Sequence, residues 1–394
     1  MKKTVLKLIA LCMSLFCVAG CFVACGKDDG EGAIVIGLSG PTTGAAATYG
    51  QAVENSAKLA VDEINAAGGL KNGVKLKLVS MDDAHDPTKV ATNYAAMADQ
   101  GMQVALGCVT SNPCLEFVKL SNENDLFFLT PSASANKVVE DGKNAYQMCF
   151  ADDNQGKVAA AYVNELAKAG TLGKLGILYK TGDPYSEGIY NQFVKALDAA
   201  AGTPVVVNFS GADETVTFDT QVTALQDCDF IFMPIYYTPA AKFMDAAKDK
   251  VSASATYYGC DGFDGIDTSV EGFDITTIPQ AVTMLSHFNS KATEGKAADY
   301  IKKYKEAYPD GPLNQFGASA YDCVYALAAA MNKAIDEGVE ITADIAAAEL
   351  CEILTKQFNE GFDFSGATGD NISWDANGFV EKGAVAYVIK EKNA

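Results

Sequence analysis

Extended apolar segments alternate with segments of helical period along most of the sequence. The extended segments are rich in β-branched and aromatic residues, which favours strands, and they cover 33–39, 74–82, 103–109, 126–130, 174–180, 204–209, 229–236, 255–260 and 281–286. The helical period predicts helices at 49–67, 88–100, 113–124, 154–169, 184–201, 217–226, 238–250, 294–307, 315–337 and 342–357. Strict alternation predicts an α/β fold with parallel sheets flanked by helices. The number of strand–helix units is larger than one open sheet usually holds, and we therefore expect two lobes.

Three dipeptides mark predicted helix starts. Asp86-Pro87, Asn112-Pro113 and Asp183-Pro184 each place a capping residue before a proline, which suits the first helical position. We therefore expect each helix to begin at its proline.

The charge and motif content exclude several classes of function. The formal net charge is −20, so a nucleic-acid partner is not expected. The sequence has two histidines and lacks a C-x-x-C pair, so neither a zinc site nor another metal is expected. It also lacks G-x-S-x-G, P-loop, H-E-x-x-H and G-x-G-x-x-G motifs, so we expect neither an enzyme nor a bound cofactor.

The first residues have the pattern of a secretory signal peptide. Lys2, Lys3 and Lys7 precede an apolar run that is too short to span a membrane comfortably. The run ends in Val-Ala-Gly followed by Cys21, which resembles the lipobox of bacterial lipoproteins, with Cys25 as the weaker alternative. We expect cleavage after residue 20, a lipid on Cys21, and a polar tether over 21–32. Loss of the three lysines takes the net charge from −20 to −23.

Seven cysteines remain in the folded part, at 108, 114, 149, 228, 260, 323 and 351. Most are expected to be small core residues. Cys108 and Cys114 are close enough in sequence for a disulfide, and that alternative stays open.

The residues that follow the predicted strands differ between the two halves. The first half supplies hydroxyls and helix starts, as in Thr110-Ser111 and Ser132-Ala133-Ser134, which suit a carboxylate. The second half supplies tyrosines and one acid, Asp261, which suit an apolar wall and an ammonium. Because ligands bind at the carboxyl ends of parallel strands, these residues predict a site for a zwitterionic α-amino acid between the lobes.

Several stretches resemble the branched-chain amino acid binding proteins of ABC importers, which have the type I periplasmic binding fold. They run in the order of that family and cover nearly the whole mature chain: IGLSGP at 36–41, AVDEINAAGGL at 60–70, DDAHDP at 82–87, LTPSAS at 129–134, YSEG at 185–188 and SWDANG at 373–378. The resemblance implies a first lobe of 33–150 plus about 276–365. It implies a second lobe of 151–275 plus about 366–394, with a hinge between the two.

The resemblance also implies roles for individual polar residues. Ser111 and Ser134 match the residues that bind the ligand carboxylate, and Ser132 matches a backbone carbonyl that takes the ammonium. Asp261 matches the acid that pairs with the ammonium. Three of these residues have a plainer alternative: Asp261 as a turn residue, and Ser111 and Ser134 as helix caps.

Aromatic positions around the ligand match Tyr49, Tyr185 and Tyr237, for which packing between the lobes is the alternative. Cys108, Phe263 and Phe316 are candidates for lining the side-chain pocket, although core packing is the favoured role of Cys108 and Phe316.

Two departures from the family's pattern concern the rim of the site. Well-known members carry a disulfide between the two positions that are occupied here by His85 and Thr110, so that bridge is absent. The loop at 41–48 is also longer.

The expected function is therefore capture of an apolar amino acid (Leu, Ile or Val, with Phe as a further candidate) by hinge closure, followed by delivery to an ABC permease. We expect a monomer held outside the cytoplasm on the cell membrane through a lipidated cysteine. The alternatives are an amide-like, urea-like or aromatic ligand on the same fold, and a sensor ectodomain.

Overall fold

The computed structural model describes residues 32–392. The predicted signal peptide and the lipidated Cys21 lie outside the described residues, as does the predicted tether apart from Gly32. Within the described range, no helix is long and apolar enough to cross a membrane.

The strands are, in chain order, β1 Ala33–Gly40, β2 Lys75–Asp82, β3 Met102–Cys108, β4 Phe128–Thr130, β5 Ala145–Gln147, β6 Leu175–Lys180, β7 Val205–Phe209, β8 Phe230–Met233, β9 Thr256–Gly259, β10 Ala281–Ser286, β11 Phe364–Gly366, β12 Gly369–Ile372 and β13 Val385–Lys390. The α-helices are α1 Ala47–Ala66, α2 Val90–Asp99, α3 Ser111–Glu123, α4 Lys137–Glu140, α5 Asp152–Lys168, α6 Pro184–Ala196, α7 Asp219–Leu225, α8 Tyr237–Ala247, α9 Gly295–Ala307, α10 Gln315–Asp336 and α11 Ala347–Asn359. The α/β fold class is confirmed.

Two mainly parallel sheets organise these strands. The first has the order β2-β1-β3-β4-β5, and the second has the order β13-β10-β9-β8-β6-β7. All pairs are parallel except β10 with β13, which are antiparallel. A separate hairpin joins β11 to β12.

Both sheets repeat one strand order. If β13 is left aside, the second sheet runs β7-β6-β8-β9-β10, so each sheet places its first strand between its second and third. The connections that follow the first and the third strand of each sheet run in opposite directions. This divergence opens a crevice at the carboxyl ends of those two strands. The topology therefore predicts where each half can contribute to a site.

The apolar segments are buried as their patterns predict. Every residue of β1 is buried, and α1 buries one face that includes Val53, Ala57 and Ile64. The helix α1 also packs against α10. A Cβ at Gly317 would lie 2.9 Å from the carbonyl oxygen of Ala52, so glycine allows the two helices to approach there.

The three predicted helix starts have different outcomes. Asp183 caps α6 by accepting a hydrogen bond from the amide of Ser186 at 3.1 Å, so that start is confirmed. Asp86 and Pro87 begin a short 3-10 helix, Pro87–Lys89, that leads into α2. The start at Pro113 is wrong, because α3 begins at Ser111 with Thr110 as its N-cap.

The chain enters the second sheet at β6 and remains there through β10. Ala281–Ser286, which lies in the range predicted for the first lobe, pairs with β9 in the second sheet. The lobe boundaries stay a prediction, and this strand favours a return crossing after Ser286 rather than near residue 276.

Candidate functional site

The predicted site residues end or follow the first, third or fourth strand of one of the two sheets, or lie at the start of a long helix. All ten side chains belong to buried residues: Tyr49, Cys108, Ser111, Ser132, Ser134, Tyr185, Tyr237, Asp261, Phe263 and Phe316. The repeated strand order explains this grouping, because each sheet presents the same three loops at its carboxyl edge.

The hydroxyl residues lie at the carboxyl edge of the first sheet. Ser111 is the first residue of α3, and its Oγ accepts a hydrogen bond from the amide of Ala135 at 3.2 Å. Ser132 Oγ donates to the carbonyl of Val109 at 2.6 Å. Ser134 Oγ is buried and has no hydrogen-bond partner among residues 32–392. One hydroxyl of the predicted set is therefore available to a ligand.

Asp261 lies at the carboxyl edge of the second sheet, just beyond β9. Only 1% of the residue is exposed. Tyr185 donates its hydroxyl hydrogen to Asp261 Oδ1 at 2.7 Å, and the amide of Gly262 donates to the same Tyr185 hydroxyl at 2.9 Å. Burial raises the pKa of Asp261 to about 6, although the Tyr185 hydrogen bond favours the ionised form. A carboxylate in this environment is stabilised by a cation.

Tyr49 connects the two halves of the site. Its hydroxyl donates to the carbonyl of Gly262 at 2.5 Å and accepts from the amide of Tyr237 at 3.4 Å. Its ring lies edge-on to Tyr237 and to Phe316, with centroid distances of 5.0 Å and 4.4 Å. The start of α1 is thereby joined to the loops that follow β8 and β9.

A second aromatic contact continues the wall. Tyr185 stacks on Tyr236 with centroids 4.7 Å apart and an interplanar angle of 7°. Tyr236 in turn meets the His85 ring edge-on at 5.3 Å. Apolar ring faces with hydroxyl tips suit a ligand that has an apolar body and a charged end.

The loop at 41–48 also contacts the second half. Thr238 Oγ1 donates to the carbonyl of Ala45 at 2.8 Å, and the amide of Ala45 donates to Glu214 Oε1 at 3.0 Å. The loop at 41–48 therefore forms part of the contact across the site.

Cys108 and Phe263 are fully enclosed. Burial raises the pKa of the Cys108 thiol well above its ordinary value. Cys108 and Cys114 are both free, so the disulfide alternative is wrong. The Phe263 ring packs on Gly259, where a Cβ would lie 2.3 Å from the ring.

Three residues near Asp261 were not predicted from the sequence. Gln155 Oε1 accepts a hydrogen bond from the amide of Asp261 at 3.1 Å. Asp152 begins the same helix and is 1% exposed. Asp264 accepts from the amide of Gln315 at 2.9 Å, and burial raises its pKa to about 7. The acids at 152 and 153 look alike in the sequence, since both fit the first turn of a helix.

Two cavities open near these residues. One of about 560 Å³ is lined by residues that include Asp152, Pro184 and Gly188. The other, of about 520 Å³, is lined by residues that include His85 and Asp183. Within the part of the chain that the structure describes, no group of three or more His, Cys, Asp or Glu is arranged to hold a metal ion.

Comparison with characterised proteins is consistent with this geometry. The chain is 30% identical over 308 residues to the Leu/Ile/Val-binding protein BraC3 of Rhizobium johnstonii. This match covers 76% of this chain and 79% of the relative. It is 27% identical to the leucine-, isoleucine-, valine-, threonine- and alanine-binding protein of Pseudomonas aeruginosa, over 84% of this chain and 86% of the relative.

Solved structures extend the comparison. The branched-chain amino acid transporter substrate-binding protein LivJ of Streptococcus pneumoniae, in complex with isoleucine, has a TM-score of 0.74 and 25% identity, over 91% of this chain and 96% of that one. A solute-binding protein of R. palustris in complex with benzoate has a TM-score of 0.75 and 20% identity, over 91% and 94%. The fold is thus shared by proteins whose bound ligands differ.

The family model described as periplasmic binding protein matches residues 33–394. Together with the repeated strand order and the two-lobed neighbours, this match shows that the chain belongs to the periplasmic binding protein family.

Proposed function

We propose that this protein is the solute-binding component of an ABC importer and that it captures a free apolar α-amino acid, with Leu, Ile and Val as the leading candidates and Phe as a further one. The observation that carries the proposal is the enclosed carboxylate of Asp261. It lies in an aromatic wall and opposite a set of hydroxyls.

The charge of the site favours an amino acid over an aromatic acid. A benzoate carries no cation, so it would leave the Asp261 carboxylate enclosed without an opposite charge. An α-ammonium supplies that charge and several N–H donors. Tyr185 donates to Oδ1, and an α-ammonium would add N–H donors and a positive charge to the same carboxylate.

The opposite end of the site suits the ligand carboxylate. Ser111 begins a helix of 13 residues, whose first amides carry partial positive charge. Ser134 Oγ lacks a partner among the described residues and would donate to the same carboxylate.

Aromatic rings line the part of the site that would hold the side chain of the ligand. Tyr49, Tyr237 and Phe316 are packed against one another and present mainly carbon surface. A branched aliphatic side chain of the ligand would leave water and pack against these ring faces, which is favourable.

In the proposed cycle the lobes close over the ligand by a hinge movement, and a permease recognises the closed form. Closure excludes water and strengthens the ammonium–carboxylate interaction in a lower dielectric. The lipid anchor at Cys21 would keep the protein, a monomer, at the outer face of the cell membrane, close to its permease.

A ligand panel tests the proposal. The thermal midpoint of the purified protein is measured with each of the twenty amino acids, benzoate, 4-hydroxybenzoate and acetamide. A ligand at a hundredfold excess over its dissociation constant adds about 2.7 kcal/mol to the free energy of unfolding. That gain raises the midpoint by several degrees. We expect shifts with Leu, Ile and Val. A shift with benzoates alone, or with none of the amino acids, would refute the amino-acid assignment.

The anchor has its own test. Cys21→Ala should release the protein from the membrane fraction of expressing cells, whereas the control Cys25→Ala should leave it bound. Membrane retention of Cys21→Ala together with release of Cys25→Ala would move the assignment to Cys25.

A further inference from the structure

Asp152 carries an enclosed carboxylate that forms no ion pair among the described residues. The residue is 1% exposed, and neither Oδ1 nor Oδ2 has a hydrogen bond of good geometry within residues 32–392. An isolated buried carboxylate is costly, and native structures rarely keep one without a reason. Its surroundings therefore indicate what it is for.

Two backbone contacts fix the position of Asp152 between the two ends of the site. Its own amide donates to the carbonyl of Ser134 at 2.9 Å. Gln155, three residues later on the same face of α5, accepts from the amide of Asp261 at 3.1 Å. The Asp152 carboxylate itself faces the Ser134 hydroxyl and Gly188 of α6, and it interacts with the charge of Asp261.

Other atoms at this place also lack partners. Ser134 Oγ and Gln155 Nε2 are buried without hydrogen bonds to any described residue. The Ser134 hydroxyl faces the Asp152 carboxylate, and the Gln155 side chain faces the Asp261 carboxylate, so both groups lie beside the two acids. A ligand with several N–H donors would satisfy the acceptors among them.

The position at a helix start does not explain this burial. An acid in the first turn gains from the helix dipole while it remains in water. Asp153 already serves in that way, since its carboxylate is exposed and lies 3.3 Å from Lys157 Nζ. A second acid in the same turn would gain little from the helix dipole, so the dipole does not account for the burial of Asp152.

We infer that Asp152 is a second carboxylate for the ammonium of the ligand, and that the site selects a primary ammonium whose N–H groups reach both Asp152 and Asp261. This inference rests on the proposed function, because it adds a residue and a selection rule to the same site.

Charge interactions around the two acids agree with this arrangement. Burial raises the pKa of Asp152 well above its ordinary value, and the neighbouring Asp261 raises it further, while the facing Ser134 hydroxyl lowers it. A cation placed between the acids favours the ionised form of both.

Two ligands and two variants separate ammonium binding from a structural role. L-Leucine and 4-methylpentanoate share a carbon skeleton, but the second lacks the ammonium. Their affinities are measured for the wild-type protein, Asp152→Asn and the control Asp153→Asn, by calorimetry for leucine and by ligand-observed NMR for the weaker acid. We expect Asp152→Asn to weaken leucine by about tenfold or more and to leave 4-methylpentanoate unchanged or tighter. Asp153→Asn should change neither by more than about twofold.

Equal losses for both ligands in Asp152→Asn would overturn the inference, because a structural role lowers both together. A crystal structure of the wild-type protein with L-leucine gives a second measure that needs no variant. We expect an oxygen of Asp152 within about 3.2 Å of the ligand nitrogen, and a separation beyond about 4 Å would also overturn the inference. Absence of binding by any free amino acid would instead refute the proposed function.

Discussion

His85 Nδ1 lies 2.8 Å from Thr110 Oγ1. The resemblance to the branched-chain amino acid binding proteins places a disulfide of that family at these two positions. A hydrogen bond here joins the loop after β2 to the N-cap of α3, one residue before Ser111. The same two segments remain connected by a weaker interaction.

The pair predicts a measurable coupling. His85→Ala and Thr110→Val should each lower the free energy of unfolding by about 1 kcal/mol, because each leaves a largely buried polar group without its partner. The double variant should lose less than the sum of the two. Denaturant unfolding of all four proteins gives the interaction energy, and strict additivity would show that the two side chains do not interact in solution.

Replacement of Asp261 should abolish tight binding while the fold is retained. Asp261→Ala removes the carboxylate that we assign to the ligand ammonium, so the expected loss is roughly 3–5 kcal/mol of leucine binding, by analogy with broken buried ion pairs. Calorimetry measures the loss. Asp267→Ala, an exposed acid in the same loop, serves as the control. A loss below tenfold would remove Asp261 from the site.

Leucine binding should weaken in acid. Burial raises the pKa of Asp261 to about 6 in the absence of ligand, and only the ionised form attracts the ammonium. Protons therefore compete with leucine below pH 6, and the dissociation constant at pH 5 should exceed that at pH 7.5 by about tenfold. The Asp261 carboxylate is surrounded by Asp152, Asp264 and Tyr185. These neighbours change the steepness with which leucine affinity depends on pH.

The same shift has a consequence for stability with the opposite sign. The unliganded fold binds a proton at Asp261 more strongly than the unfolded chain does. This contribution to the free energy of unfolding is therefore fully present below the unfolded pKa near 3.8 and is lost as the pH rises through about 6. Denaturant titrations of wild type and Asp261→Asn between pH 4 and pH 8 test this sign. A pH-independent difference between the two proteins would contradict it.

Most of the fold could be predicted because its signals are local. The strands near residues 33, 75, 102 and 175 are long apolar runs, and the helices between them have clear periodicity. β5 was missed since three residues carry too little pattern. β13 was missed because it follows no strand–helix unit and pairs antiparallel at an edge.

The site could be predicted only in part. Ser111, Ser134 and Asp261 were found because they follow strands, and parallel topology gathers strand ends at one edge. Asp152 follows the short β5 and begins a helix, where an acid is ordinary. Its burial arises beside Ser134 and Gly188, and no periodicity in the sequence encodes those contacts.

Gly262 occupies a position at which a side chain would collide with its neighbours. A Cβ at this position would lie 2.7 Å from the Tyr185 hydroxyl and 2.8 Å from the carbonyl oxygen of Ile235. Gly262→Ala should therefore displace Tyr185, break its hydrogen bond to Asp261, and lower the free energy of unfolding by about 1–3 kcal/mol. Gly383→Ala is the matched control, because a Cβ there meets nothing within 4 Å. Thermal melts and leucine calorimetry measure the two effects. Unchanged affinity in Gly262→Ala would mean that the Tyr185–Asp261 contact does not orient the carboxylate for its ligand.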